Sequence, residues 1–256
     1  MNYNEEIIQC CKLLKLSSNL ASRAQTIQGE TNQEYLFRLF KSELDYRENA
    51  RNIRMMISAG FPRKYDYSQF NDSEVQYPSD TSLSDLMDLN FHKEGKNLIM
   101  YGNTGTGKTM LSICLGMEAC KRGISVRFFR TAALINQLSE AKTNGVLTSL
   151  LKKLNKASII ILDELGYVPY DRTGSQLFFD FLSEIHEKKT VILNTNLEFS
   201  RWANVFYDEQ MTAAMIGRLT HHCHLLLFPG KNNRLMESSL NRKSRATKEN
   251  TSKETN

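Results

Sequence analysis

The hydrophobic positions change their period once along this chain, near residue 97. Before that point the spacing is helical. Over Glu5–Leu16 the residues Ile7, Ile8, Cys11 and Leu14 form one stripe. Over Thr31–Ile57 Leu36, Phe37, Leu39, Phe40 and Leu44 mark one face of a longer helix, which Gly60 and Pro62 end. Residues 61–96 keep no sustained period and carry turn signals at Asn71-Asp72 and Pro78-Ser79-Asp80, so they read as a mixed connector. From residue 97 short apolar runs alternate with amphipathic segments. Strands are predicted over Asn97–Tyr101, Ile124–Phe129, Ala157–Leu162, Thr190–Leu193 and Cys223–Phe228. Helices are predicted between them over Thr109–Arg122, Ala132–Lys142, Leu147–Leu154, Gln176–Glu187 and Glu209–Leu219. This βα alternation predicts an α/β class domain: a central parallel five-stranded sheet flanked by helices, preceded by a small all-helical N-terminal domain. Ile159-Ile160-Ile161-Leu162 is apolar without alternation, as a strand covered on both faces requires. The expected limits are 1–64 for the helical domain and 65–236 for the α/β domain. Residues 237–256 lack periodicity and large apolar groups, so they are expected to be a disordered basic tail.

Composition narrows the class. The 256 residues are 41% hydrophobic and 24% charged, an ordinary balance for a globular chain. No apolar run approaches the ~20 residues a bilayer span needs. The start, MNYNEEIIQCC, lacks the basic stretch and apolar core of a signal peptide, so a cytoplasmic location with no membrane partner is expected. The five cysteines show no C-x-x-C spacing and are expected to be reduced thiols. The net charge of +5 is concentrated at the two ends, which permits a polyanionic partner. Within the long N-terminal helix Arg47, Arg51 and Arg54 recur at i, i+4 and i+7 and so share a side. Such a row can meet successive DNA phosphates; Glu43, Asp45 and Glu48 nearby leave open a merely solvated face.

The chemistry begins where the period changes. The strand Asn97–Tyr101 runs into Gly102, Asn103, Thr104, Gly105, Thr106, Gly107, Lys108 and Thr109, which fits G-x-x-x-x-G-K-T without a mismatch. Glycines there let the backbone wrap closely and turn its N–H groups into one concavity, and the following helix, through Met110, adds its positive end. Lys108 can reach the β- and γ-phosphates of ATP, and the Thr109 hydroxyl can coordinate Mg²⁺. This is the P-loop of a nucleoside triphosphatase. Asp163 and Glu164 follow the Ile159–Leu162 run, so the strand delivers two acids to the carboxyl edge of the sheet, where open α/β folds place ligands. Asp163 suits a Mg²⁺ carboxylate and Glu164 suits the group that polarises the attacking water. Asn194 and Asn196 end a third strand; a neutral amide there could touch both the γ-phosphate and the lytic water, and Asn196 is favoured as the residue at the mouth of the sheet. Phosphoryl transfer also gains from an arginine reaching the developing charge. Arg218 leads Arg172, Arg201 and Arg234 for that role. Phe61, Tyr65 and Phe70 precede the P-loop, where one could stack on a base, although such residues more often pack in cores. His221, His222, Cys223 and His224 do not make a metal site: neighbours on a strand point to opposite faces, and no second cluster completes four ligands.

Taken together these residues resemble the IstB-like transposition helper ATPases of the AAA+ superfamily, relatives of the helicase loaders DnaC and DnaI. The resemblance runs from about residue 15 to 236 through GNTGTGKT, ACKRGISVRFFRTAALINQL, IIILDELGYVP, NTNLEFSRWANVF and GRLTHHCHLLLF. It implies an AAA+ P-loop fold without a full C-terminal lid, with Lys108 and Thr109 as Walker A and Asp163 and Glu164 as Walker B. By the same resemblance Asn196 is sensor 1 and Arg218 an arginine finger acting in trans, so that ATP sites lie at the interfaces of a homo-oligomer. Asn233-Arg234 stands where relatives have Tyr-Arg, a departure from the family's sensor 2 pattern that leaves the role of Arg234 open. The family implies an ATPase that assembles on double-stranded DNA, deforms it, recruits a partner transposase and turns over by hydrolysis. The N-terminal region with Arg47, Arg51 and Arg54 is then the part implied in DNA binding. The alternative from the same resemblance is a DnaC/DnaI-like replicative helicase loader.

Overall fold

The computed structural model describes residues 3–230, so the expected tail and Arg234 lie outside the described residues. The chain divides into two compact units, Met1–Met55 and Met56–Asn256.

The first unit is helical: α1 (Asn4–Leu13), α2 (Leu20–Thr26) and most of α3 (Asn32–Ala59). The short α2 adds to the sequence reading, because seven residues make too little of a 3.6-residue period to be seen. Cys11, Leu20 and Ala21 are buried, and beside them Glu43 is 3% exposed. That carboxylate is the polar anchor of the unit. It accepts from the Ser17 N–H at 2.8 Å, from the Ser17 hydroxyl, from Arg23 Nη2 at 2.6 Å and from Arg47 Nε at 2.8 Å. Burial works to raise the Glu43 pKa, but the bonds from Ser17, Arg47 and Arg23 outweigh it and hold the group at about 2. The row of three arginines is therefore not a uniform solvated row. All three are exposed, but Arg47 is drawn onto Glu43 and also donates to the Lys15 carbonyl, whereas Arg51 lies 3.8 Å from Glu48. Leu36, Phe37, Phe40 and Leu44, the apolar face legible in the sequence, are also exposed.

The second unit holds the sheet. A connector with α4 (Leu83–Met87) and α5 (Asn90–Lys93) leads to β1 (Asn97–Gly102), then α6 (Lys108–Lys121), β2 (Val126–Arg130), α7 (Thr131–Thr143) and α8 (Leu147–Leu154). After these come β3 (Ile159–Leu165), α9 (Arg172–Ile185), β4 (Thr190–Thr195), α10 (Ala203–Phe206), α11 (Glu209–Thr220) and β5 (Cys223–Phe228). The five strands run parallel in the order β2-β3-β4-β1-β5, as the βα alternation required. Their central residues are sealed on both faces: Ile99, Ile160, Leu162 and Leu193 have no exposure. On one side they pack with Leu134, Leu138, Phe178, Phe181 and Trp202. Short capped helices in the connector escaped the periodicity, among them α4, which is held by a reciprocal Ser82–Asp85 capping box. Gln76 of the connector exchanges both backbone hydrogen bonds with Leu227 at 2.9 and 3.0 Å, which covers part of the outer edge of β5.

Two strands run two or three residues further than the sequence predicts, and both extensions matter. β4 continues through Asn194 to Thr195. β3 continues through both acids to Leu165, with its register against β4 shifting between Leu162 and Leu165. The extra residue of that bulge is accommodated by Glu164 in the left-handed region, φ 58°.

Candidate nucleotide site

β1 and β5 come together at the start of the P-loop. Gly102 has φ 147°, and a Cβ there would stand 2.1 Å from the Phe228 carbonyl oxygen, so only glycine permits the approach. The loop is then pinned to the end of β5: Asn103 donates its N–H to the Phe228 carbonyl at 3.1 Å, and its side-chain amide to the Pro229 and Gly230 carbonyls at 3.1 and 3.2 Å. Gly107 is also left-handed, with φ 102°, and turns the chain into α6 at Lys108. Lys108 lies under the loop, 9% exposed, its ammonium donating to the Gly102 and Asn103 carbonyls at 2.7 and 2.5 Å.

The carboxyl ends of β3 and β4 meet the first turn of α6 across this loop. The Thr109 hydroxyl donates to Asp163, at 3.0 Å from Oδ1 and 3.1 Å from Oδ2. Asp163 is 3% exposed, and its backbone carbonyl accepts from Thr131 Oγ1 at 3.0 Å, which ties the end of β3 to α7. Asn194 donates from Nδ2 to Asp163 Oδ1 and to Ser112 Oγ, both at 2.8 Å. One buried hydrogen-bonded chain thus links α6, β3 and β4. Glu164, beside it, is exposed at the bulge, and Arg130 at the end of β2 approaches its carboxylate at 3.5 Å.

These groups surround a cavity of about 540 Å³ lined by the P-loop from Thr104 to Met110 and by Asp163, Glu164, Tyr167, Asn194 and Asn196. Its other wall comes from the connector: Arg63, Tyr65, Gln69, Phe70 and Asn71. The Arg63 guanidinium stacks on Tyr65 at 4.2 Å from the ring centroid, and Phe70 lies 3.0 Å from where a Cβ of Gly107 would be. Phe61 stands apart from this wall, packing edge-on against Phe128 at 6.4 Å. The cavity therefore joins an anion cradle to a flat wall with aromatic rings and amide side chains. Thr109 and Asp163 offer hard oxygen donors side by side, the kind of pair Mg²⁺ takes while keeping several waters.

Most of the residues singled out from sequence meet here. Asn196 lines the cavity but is exposed, and the amide that reaches Asp163 is that of Asn194. Arg218 does not line the cavity; it is half-buried on α11, its guanidinium 4.7 Å from the centroid of Phe179. Arg172 and Arg201 are likewise outside the lining. Sequence reasoning passed over Ser112, Arg63, Gln69, Asn71, Tyr167 and Arg130. Ser112 carried a signal, since i+3 from Thr109 puts it on the same face of the P-loop helix. The connector residues carried none, because a structureless segment reveals its neighbours only once folded. Among the described residues no helix is long and apolar enough to cross a membrane.

Residues 9–241 match the family of IstB-like ATP binding proteins. A protein described as the ATP-binding protein of insertion sequence IS232, from Bacillus thuringiensis subsp. berliner, is 30% identical over 241 residues, covering 92% of this chain and 96% of its own. The corresponding protein of insertion sequence IS21 from Pseudomonas aeruginosa is 35% identical over 211 residues, 77% of this chain and 80% of its own. Among solved structures, the DnaC helicase loader superposes with a TM-score of 0.49 at 23% identity, over 57% of this chain and 85% of that one.

Proposed function

We propose, from the premise that this chain belongs to the family of IstB-like ATP-binding proteins, that it is the Mg²⁺-dependent ATPase that serves a transposase. In this reading it binds ATP, assembles with copies of itself on target duplex DNA, deforms that DNA and recruits or stimulates the transposase. Hydrolysis then releases the assembly. Similarity to an insertion-sequence protein over 92% of this chain and 96% of that one supports the transposition reading over the helicase-loader one.

The observation that carries the ATPase half is the contact between Thr109 and Asp163 at the mouth of an intact phosphate cradle. Backbone N–H groups of the loop and the positive end of α6 bind the triphosphate, and Lys108 turns from the loop carbonyls to the β- and γ-oxygens. Thr109 and Asp163 would hold Mg²⁺, which neutralises charge on the β- and γ-phosphates when bound. Glu164 is the only carboxylate of the pair facing open space, so it has room to accept a hydrogen bond from water and orient it towards the γ-phosphorus. Asn196, exposed on the cavity wall, is in this reading the residue that senses the γ-phosphate. Tyr65 and Phe70 supply ring faces for a base, with Gln69 and Asn71 able to read its polar edge. Arg218 lies outside this wall, in keeping with an arginine finger offered to the site of a neighbouring subunit.

The test is sedimentation of the full chain with duplex DNA and ATP or a non-hydrolysable analogue. ATP-dependent growth in size on DNA, lost in Lys108→Ala, is expected. A chain that stays monomeric on DNA whichever nucleotide is present would refute the reading.

A further inference from the structure

The reading above leaves Asn194 without a role. Asn194 is 1% exposed, its Nδ2 is bonded twice, and its Oδ1 is buried with no hydrogen-bond partner. Its orientation is fixed by chemistry: a carboxylate such as Asp163 only accepts, so the nitrogen of the amide must face it. The oxygen is thereby turned away from both protein partners. Buried polar atoms are rarely left unpaired, and a residue serving only to fill space between Leu193 and Thr195 would be better as leucine.

We propose that Asn194 is the positioning residue of the metal-binding carboxylate. Its nitrogen bonds Asp163 and Ser112 at once and so holds the carboxylate against Thr109. The proposal rests on the Mg²⁺-nucleotide reading of the cavity. Asn194 does not touch the triphosphate in this role. It acts through Asp163, whose oxygens would otherwise rotate away from Thr109. Ser112 completes the arrangement by anchoring the same nitrogen to α6, while its own hydroxyl hydrogen has the Lys108 or Thr109 carbonyl to go to, each at 3.1 Å.

The experiment measures binding of a fluorescent, non-hydrolysable ATP analogue to the full chain, first in EDTA and then across a MgCl₂ titration. Asn194→Leu keeps the branched shape and the number of heavy atoms and removes both polar atoms. It is expected to bind nucleotide in EDTA within twofold of the unaltered chain. The Mg²⁺ concentration for half-maximal enhancement should rise about 10-fold, the scale on which outer groups tune metal sites. Ser112→Ala, a milder change that leaves Asn194 in place, is expected to shift the same midpoint by roughly 2- to 5-fold. An unchanged Mg²⁺ midpoint in Asn194→Leu would overturn the proposal, as would an equal loss of affinity in EDTA, which marks a structural role. If Asn194→Leu melts early, Ser112→Ala decides: no shift in its midpoint overturns the proposal. Should the unaltered chain bind the analogue with no dependence on Mg²⁺, the nucleotide reading itself falls, and this inference with it.

Discussion

Replacing Glu43 with Gln keeps the shape of the side chain and removes the charge on which Ser17, Arg23 and Arg47 converge. The gap between an ordinary 4.5 and about 2, at ~1.36 kcal/mol per pH unit, caps the stabilisation at about 3.4 kcal/mol. Water screens part of that: the Arg47 side chain is 49% exposed, and a three-helix unit has a thin interior. About 1–2 kcal/mol is a better expectation. The sign follows from a depressed carboxyl: the contribution is whole above pH 4.5 and is lost as pH falls towards 2. Hydrogen-exchange mass spectrometry reads this locally, on peptides from α1 and α2. At pH 7 those amides should exchange about 5- to 30-fold faster in Glu43→Gln than in the unaltered chain, with peptides of the sheet unaffected. The ratio should shrink towards one as pH is lowered from 4.5 to 2.5, the intrinsic exchange rates cancelling between the two proteins. A ratio near one at pH 7, or one that persists undiminished at pH 2.5, would refute the reasoning. The result bears on DNA binding too. If Arg47 is bound to Glu43, losing Arg47 weakens the unit before it removes any phosphate contact.

Charge reversal at Arg51 and Arg54 is the cleaner DNA test, because neither reaches that anchor. The pair should lower the slope of log affinity against log salt by about 0.9 per lost phosphate contact, and an unaltered slope would make both mere surface. Gly102→Ala would drive a Cβ into the Phe228 carbonyl; a loss of at least ~2 kcal/mol, read in a thermal melt, and loss of nucleotide binding are expected. A stable Gly102→Ala protein that still binds ATP would contradict the described approach of β1 and β5. Arg218→Ala should retain ATP binding and lose turnover by about 10³-fold. Mixing it with Glu164→Gln protein should restore some hydrolysis, since a hybrid interface carries one intact set of groups, and silence in the mixture would argue against a finger acting in trans.

The sequence by itself determined what depends on neighbours along the chain. A change of hydrophobic period from 3.6 residues to alternating strands and helices set the parallel sheet. G-x-x-x-x-G-K-T set the cradle, because a loop that short leaves its glycines, lysine and threonine few other arrangements. The position of Asp163 at the end of an apolar run set the second half of the site. The tertiary structure alone decided which groups the strand ends present to one another. A bulge, invisible in a run of residue types, turned Glu164 outward beside Arg130 while Asp163 stayed buried against Thr109. The extension of β4 put Asn194 within reach of Asp163. The connector lacked any period, yet folding brought its Tyr65 and Phe70 to the cavity wall. Arginines at i, i+4 and i+7 looked equivalent, but a buried carboxylate distinguished Arg47 from the others. Spacing constrains which side chains share a face. The energies that choose among their partners are set by burial and by groups distant in the chain, and those exist only once it has folded.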